Sequence, residues 1–210
     1  MRPMHPPIDS KLPRVGTTIF TVMSRLAAEH GAINLSQGFP DFEPPERLLD
    51  LASRHMRKGG AGNQYAPLAG LPSLRQAIAA KVAEYYGRTV DPETEITVTS
   101  GGTEALFCAV QAVVRAGDEV ILLDPAYDSY EPAVELAGGR AVHVPLQRPA
   151  FGIDWQRLSD AITPRTRLLI VNFPHNPSGA TLEAADLEQL AERLRGTGIV
   201  VLADEVYEHM

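Results

Sequence analysis

Residues 96–123 read ITVTSGGTEALFCAVQAVVRAGDEVILL, and this stretch decides the fold class. Residues 96–99 form a short apolar run of strand type. Residues 104–115 follow, with Ala105, Leu106, Ala109, Val110, Val113 and Val114 at helical spacing. Gly117 is read as the stop of that helix, since glycine readily takes the left-handed turn beyond a last helical residue. Residues 120–123 are continuously apolar, as a strand buried on both faces must be. Strand, helix and strand in this order make one unit of an α/β sheet.

The pattern repeats outward. Residues 141–144, 168–171 and 199–203 read as further strands, and the last two are again continuously apolar. Residues 129–136, 154–161 and 183–194 read as helices between them. Alternating strands and helices predict a mostly parallel sheet with helices on both faces. Upstream, residues 20–30, 46–56 and 73–86 read as helices, the second opened by Pro44-Pro45. Residues 34–41 read as a short extended segment ending in a Gly-Phe-Pro turn, and residues 59–62 as a flexible glycine joint. The expected division is an N-terminal arm with a small-domain segment over 1–42, and a large domain over 43–210.

Composition bounds the function. A formal charge of −7 argues against a nucleic-acid surface. Nowhere is an apolar run long enough to span a bilayer, and residues 1–13 lack the apolar core of a secretory signal. Cys108 is the only cysteine, so no internal disulfide can form, and a reducing, cytoplasmic compartment is expected. The six histidines show no ligand spacing, so no metal site is expected.

Four constellations sit where strands end, the place at which open parallel sheets bind ligands. Residues 99–104, TSGGTE, join a strand to a helix. Two glycines let the backbone approach a ligand, free N–H groups at a helix start attract an anion, and Thr103 adds a hydroxyl. The plainer alternative is a tight turn in which Thr103 only caps the helix. Asp124-Pro125-Ala126-Tyr127 offers an aromatic plate that could stack on a planar ring, or simply pack beneath a loop. In residues 172–179, NFPHNPSG, Asn176 is held between prolines and presents an amide in a fixed direction. Both asparagines could instead satisfy only their own backbone. Asp204 ends the last strand, where a carboxylate needs a cation or strong donor, or else serves as a helix cap. Jointly these supply a phosphate cradle, an aromatic plate, an amide and a carboxylate. A phosphorylated, protonated pyridine needs that set.

These segments resemble the class I/II aminotransferases, pyridoxal-phosphate enzymes of the aspartate aminotransferase fold type. The resemblance runs from about Arg14 to Met210, and is carried also by Ser36-Gln37-Gly38-Phe39-Pro40, Gln64-Tyr65, Leu68-Ala69-Gly70 and Asp204-Glu205-Val206-Tyr207. Within the family it looks most like the methionine, glutamine and kynurenine aminotransferase branch. It implies a three-layer large domain, a pyridoxal 5'-phosphate cofactor, amino acid and 2-oxo acid substrates, and a homodimer. By resemblance Gly102 and Thr103 bind the phosphate, Tyr127 stacks on the pyridine, and Asn176 and Tyr207 hydrogen-bond its phenolic oxygen. Asp204 pairs with the ring nitrogen, Gly38 lies against the substrate carboxylate, and Tyr65 reaches the cofactor phosphate of the neighbouring subunit.

The family's Schiff-base lysine follows the Asp-x-x-Tyr motif, after which only Glu208, His209 and Met210 stand here. Lys11, Lys58 and Lys81 have no matching context. The chain is therefore read as the front part of a longer enzyme, expected to be inactive alone, with no catalytic residue of its own. Transamination is the leading expectation. A carbon–sulfur β-lyase on the same scaffold, or a non-catalytic regulatory module, would share these motifs.

Overall fold

The computed structural model describes residues 9–38 and 42–209. The chain divides into two compact units, Thr17–Thr99 and Ser100–Met210, the second including Met1–Gly16. The expected turn at Phe39 and Pro40 lies outside the described residues.

The Thr17–Thr99 unit is helical, with α1 (Ile19–Glu29), α2 (Glu46–Arg57) and α3 (Pro72–Tyr86). Thr18 starts α1 by accepting the N–H of Thr21 at 3.3 Å, which satisfies one of the donors a helix start leaves open. Pro72 opens α3, where its missing N–H costs no helical bond, and Gly87 closes it at φ +63°. The glycine joint is a short 3-10 turn, Gly60–Asn63. Residues 96–99, expected as a strand, pair with no strand among the described residues. A strand needs a ladder partner, and here Val98 donates its N–H to Ala69 O at 3.0 Å instead. Gly70 has φ +100°, and a Cβ there would lie 2.7 Å from the Val98 side chain, so this crossing requires glycine.

The Ser100–Met210 unit runs α4 (Gly102–Val113), β1 (Glu119–Asp124), α5 (Tyr130–Leu136), β2 (Arg140–Pro145), α6 (Trp155–Ala161), β3 (Thr166–Asn172), α7 (Ala184–Leu194) and β4 (Val200–Asp204). The strands form one parallel sheet in the order β2-β1-β3-β4. Val110 and Val114 at the end of α4 and Val134 of α5 pack against Val120, Leu122, Leu168 and Ile170 on one face. Leu158 of α6 and Leu190 of α7 pack against Ile121, Leu123, Leu169 and Val171 on the other. Each wholly buried Leu or Val contributes about 1.5–3 kcal/mol from removal of apolar surface from water. The expected α/β class with a mostly parallel sheet is what the chain forms.

Two further expectations differ from what the chain forms. Helix α4 ends at Val113, with Val114 as its C-cap. Gly117, at φ +87°, shapes the turn into β1 and donates its N–H to Gly138 O at 3.0 Å. Strand β4, expected to be buried on both faces, leaves Val200 and Val201 39% and 41% exposed. Among the described residues it pairs with β3 alone, so its apolar residues lack the double cover that β1 and β3 enjoy.

Glu119 anchors the amino-terminal end of the sheet. Its buried carboxylate accepts from Arg140 at 2.7 Å, from Thr163 at 2.7 Å and from Arg165 at 2.8 Å. These partners, Arg140 foremost, hold its pKa down from 4.5 to about 2. A carboxyl depressed on folding stabilises fully above its ordinary pKa and loses that contribution as pH falls through the folded value. Glu119→Gln is predicted to cost on the order of 3 kcal/mol in urea unfolding at neutral pH. The gap to wild type should narrow as pH is lowered from 4.5 toward about 2, and equal stability at neutral pH would contradict this role.

Candidate active site

Strand β1 pairs with both β2 and β3, and the chain leaves β1 toward β2 before crossing back to β3. Connections after β1 and β3 therefore diverge and leave a crevice at the carboxyl ends of the strands. A cavity of about 220 Å³ lies there. Gly102, Thr103, Tyr127, Asn176, Asp204 and Tyr207 all line it.

The floor is built from β3 and β4. Their register sets Asn172 beside Asp204. The buried Asn172 amide donates to Asp204 O at 2.9 Å, and its Oδ1 accepts the N–H of Asn176 at 2.9 Å. One side chain thus ties the end of β4 to the loop that presents Asn176. Asn172 thus departs from the plainer alternative, because it binds the backbone of β4 as well as that of its own loop, while the Asn176 amide itself has no hydrogen bond to the described residues. The Asp204 carboxylate accepts from the Tyr130 hydroxyl at 2.5 Å through Oδ2 and from Val206 N–H at 3.3 Å through Oδ1. Asp204 therefore does cap the turn that follows, with one oxygen only.

The walls come from α4 and the loop after β1. Gly101, at φ +92°, turns the chain into α4, a conformation that favours glycine. The first N–H groups of a helix have no partner within it, and here Ala105 is the first to close, on Gly101 O at 3.4 Å. Glu104 reaches back to Ser100 N–H at 2.5 Å. Thr103 is not the cap, since Gly101 holds that position. A Cβ on Gly102 would meet nothing within 4 Å, so its backbone opens onto the cavity. The half-buried Tyr127 ring stands edge-on to Tyr130, centroids 5.8 Å apart at 69°.

His175 locks the two loops together, a role that its spacing did not signal. Its Nε2 donates to Pro125 O at 3.0 Å, and its Nδ1 accepts the Ser178 hydroxyl at 2.7 Å. Ser178 in turn accepts Ala180 N–H at 3.2 Å. This tautomer follows from the partners, because a carbonyl can only accept. Burial pushes the imidazole pKa below its ordinary value. The sequence cue would have been a serine three residues beyond a histidine inside a proline-bounded loop.

Gly38 and Tyr65 belong to the other unit, where both are exposed. Lys11, Lys58 and Lys81, the three lysines of the sequence, are absent from the cavity lining. These residues likewise show no group of metal-binding side chains, and no helix long and apolar enough to cross a membrane.

The sequence model of the family described as aminotransferase class I and II matches residues 30–210. The chain belongs to this family. The enzymes of the family use pyridoxal phosphate. The chain is 52% identical to methionine aminotransferase of Escherichia coli over 202 residues, which are 96% of the chain and 52% of the relative. It is 39% identical over 197 residues to human kynurenine–oxoglutarate transaminase 1, covering 89% of the chain and 47% of that enzyme. The crystal structure of YbdL from Escherichia coli, described as having a methionine aminotransferase function, superposes with a TM-score of 0.93 at 51% identity. That match covers 99% of the chain and 53% of YbdL. The chain thus spans about half the length of the curated relatives it matches.

The cavity fits the cofactor chemically. It offers a carboxylate for a ring N–H, an amide and a phenol for an oxyanion, an open helix start for a phosphate and an aromatic plate. The Thr103 hydroxyl, the Asn176 amide and the Tyr207 hydroxyl make no hydrogen bond among the described residues, which leaves them available as donors.

Because His175 is held neutral, the unfolded chain binds more protons as pH falls below the ordinary histidine value of 6.5. Stability in urea should therefore decline below that pH, and His175→Gln should remove this part of the slope. Parallel profiles for the two proteins between pH 7.5 and pH 5.5, both about one unit from the reference pKa, would contradict the assignment.

Proposed function

We propose that the enzyme to which this chain contributes transfers an amino group between an amino acid and a 2-oxo acid, favouring methionine-like or aromatic amino acids. The observation that carries this reading is the convergence of a helix start, an aromatic plate, an amide, a phenol and a carboxylate on one cavity at the sheet's carboxyl edge. The methionine and kynurenine aminotransferases among the relatives support the substrate preference. Their transaminase names favour amino-group transfer over a lyase or a regulatory role.

Pyridoxal phosphate, when bound, supplies an electron sink that makes the α-proton of an amino acid removable. The protein's task is to hold and polarise that sink. Gly102 and Thr103 would take the phosphate on the free donors of α4, where the helix dipole favours an anion. Tyr127 would cover one face of the ring and exclude water from it. Asn176 and Tyr207 would donate to the phenolic oxygen and stabilise its negative form. Asp204 would accept from the ring nitrogen, since a neighbouring opposite charge favours the protonated pyridine. Gly38, lacking a side chain, would leave room for the substrate carboxylate.

The same proposal makes the functional unit a cytoplasmic homodimer, in which Tyr65 reaches the phosphate held by the partner subunit. Two-fold symmetry then builds two equivalent shared sites from one contact. It also places an arm and small-domain segment in residues 1–42 and the cofactor-binding domain in 43–210.

In the full-length enzyme, Asp204→Ala should lower amino-group transfer to an added 2-oxo acid by at least about 100-fold, the scale of losing one preorganised electrostatic contact. Phosphate anchorage should persist, and near-wild-type turnover would sink the assignment. Analytical ultracentrifugation of the active full-length enzyme should show a dimer. A monomer with full activity would contradict the role given to Tyr65.

A further inference from the structure

Asp204 is held at three atoms. Asn172 fixes its carbonyl oxygen, Val206 N–H engages Oδ1 at 3.3 Å, and the Tyr130 hydroxyl engages Oδ2 at 2.5 Å. The first two partners are local to the ends of β3 and β4. Tyr130 is not. It opens α5 after β1, is 4% exposed, and sits among Val110, Val134, Leu168 and Ile170. Its ring is thus set by the core, and the residue also lines the cavity.

We propose that Tyr130 is a positioning residue for the cofactor ring, orienting the Asp204 carboxylate from behind while its ring edge braces Tyr127. This rests on the functional reading above. A carboxylate offers about four lone-pair sites, and the two bonds from Tyr130 and Val206 leave the remainder for a donor in the cavity. A carboxylate free to rotate would have to be ordered at each encounter, whereas one clamped at both oxygens presents its free lone pairs in a fixed direction. The same aromatic side chain meets Tyr127 edge-on at 5.8 Å. Plate and carboxylate are therefore registered against one rigid core residue.

The donor role is secure. Burial first, and then the hydrogen bond to Asp204, push the Tyr130 hydroxyl well above the ordinary phenol range. Its proton stays in place, so it acts as a donor and never as a competing anion. A buried tyrosine commonly finds some partner for its hydroxyl. What sets this one apart is that the partner is the carboxylate of a residue lining the cavity.

The test uses the full-length enzyme and Tyr130→Phe, which removes the hydroxyl and keeps the ring in the core. With cofactor labelled with 15N at the ring nitrogen, the wild-type resonance should report a protonated nitrogen, and the variant should move toward the neutral position. Turnover should fall about 10- to 100-fold, the worth of one hydrogen bond to a charged group, while KM for the amino acid stays within about twofold. Asp204→Asn and the double variant complete a cycle, in which the two losses should be strongly non-additive. Additive losses, or an unchanged resonance with unchanged turnover, would overturn the inference while leaving the site assignment standing. A wild-type enzyme that takes up no pyridoxal phosphate would overturn the site assignment itself, and this inference with it.

Discussion

Parallel pairing of β1, β3 and β4 is the constraint on which the site depends. Because the strands run the same way, their carboxyl ends emerge on one side, and segments distant in sequence converge there. Tyr127 and Tyr130 leave β1, Asn172 and Asn176 leave β3, and Asp204 closes β4. The register that aligns Asn172 with Asp204 turns this convergence into a fixed geometry. A shift of one residue would send alternate side chains to the opposite face of the sheet. It would bury Asp204 or expose Leu202, and dismantle the cavity with the core.

The same sheet carries a carboxylate at each end, and their surroundings differ in kind. Glu119, at the start of β1, is saturated by two arginines and a threonine. Nothing remains on it for a ligand, so its work is structural. Asp204, at the end of β4, is engaged by a phenol and a backbone N–H and still faces a cavity. The contrast follows from the energetics of burying charge: a carboxylate must be compensated, by protein alone or by protein and ligand together. His175 shows a third solution. It is buried as a neutral base, with one nitrogen donating and the other accepting, and joins the loops that carry Tyr127 and Asn176.

Legibility from sequence tracked the range of the interactions. Helices were readable because capping and periodicity are local, as at Asp154, which caps α6 by accepting Arg157 N–H at 3.0 Å. The apolar runs of β1 and β3 were readable because burial on both faces leaves no polar positions. Residues 96–99 have the same strand-like composition but no ladder partner, and composition does not report pairing. Of the cavity lining, the residues within compact motifs were found: Gly102, Thr103, Tyr127, Asn176, Asp204 and Tyr207. The parts played by Tyr130 and Asn172, and by His175 behind the cavity, were not legible because each acts through a partner set by the tertiary fold. Nothing local to Tyr130 announces a bond to Asp204, and nothing near Glu119 announces Arg140 and Arg165.

The central claim is that the cavity at the carboxyl edge of this sheet seats pyridoxal phosphate, ring nitrogen toward Asp204 and phosphate on the start of α4. A crystal structure of the full-length protein with the cofactor bound tests it most directly. The account predicts the pyridine against Tyr127, its nitrogen within hydrogen-bond distance of the Asp204 carboxylate, and the phosphate on the backbone of Gly102 and Thr103. A cofactor lodged elsewhere, for instance in the separate cavity beside Asp124 and His143, would contradict it.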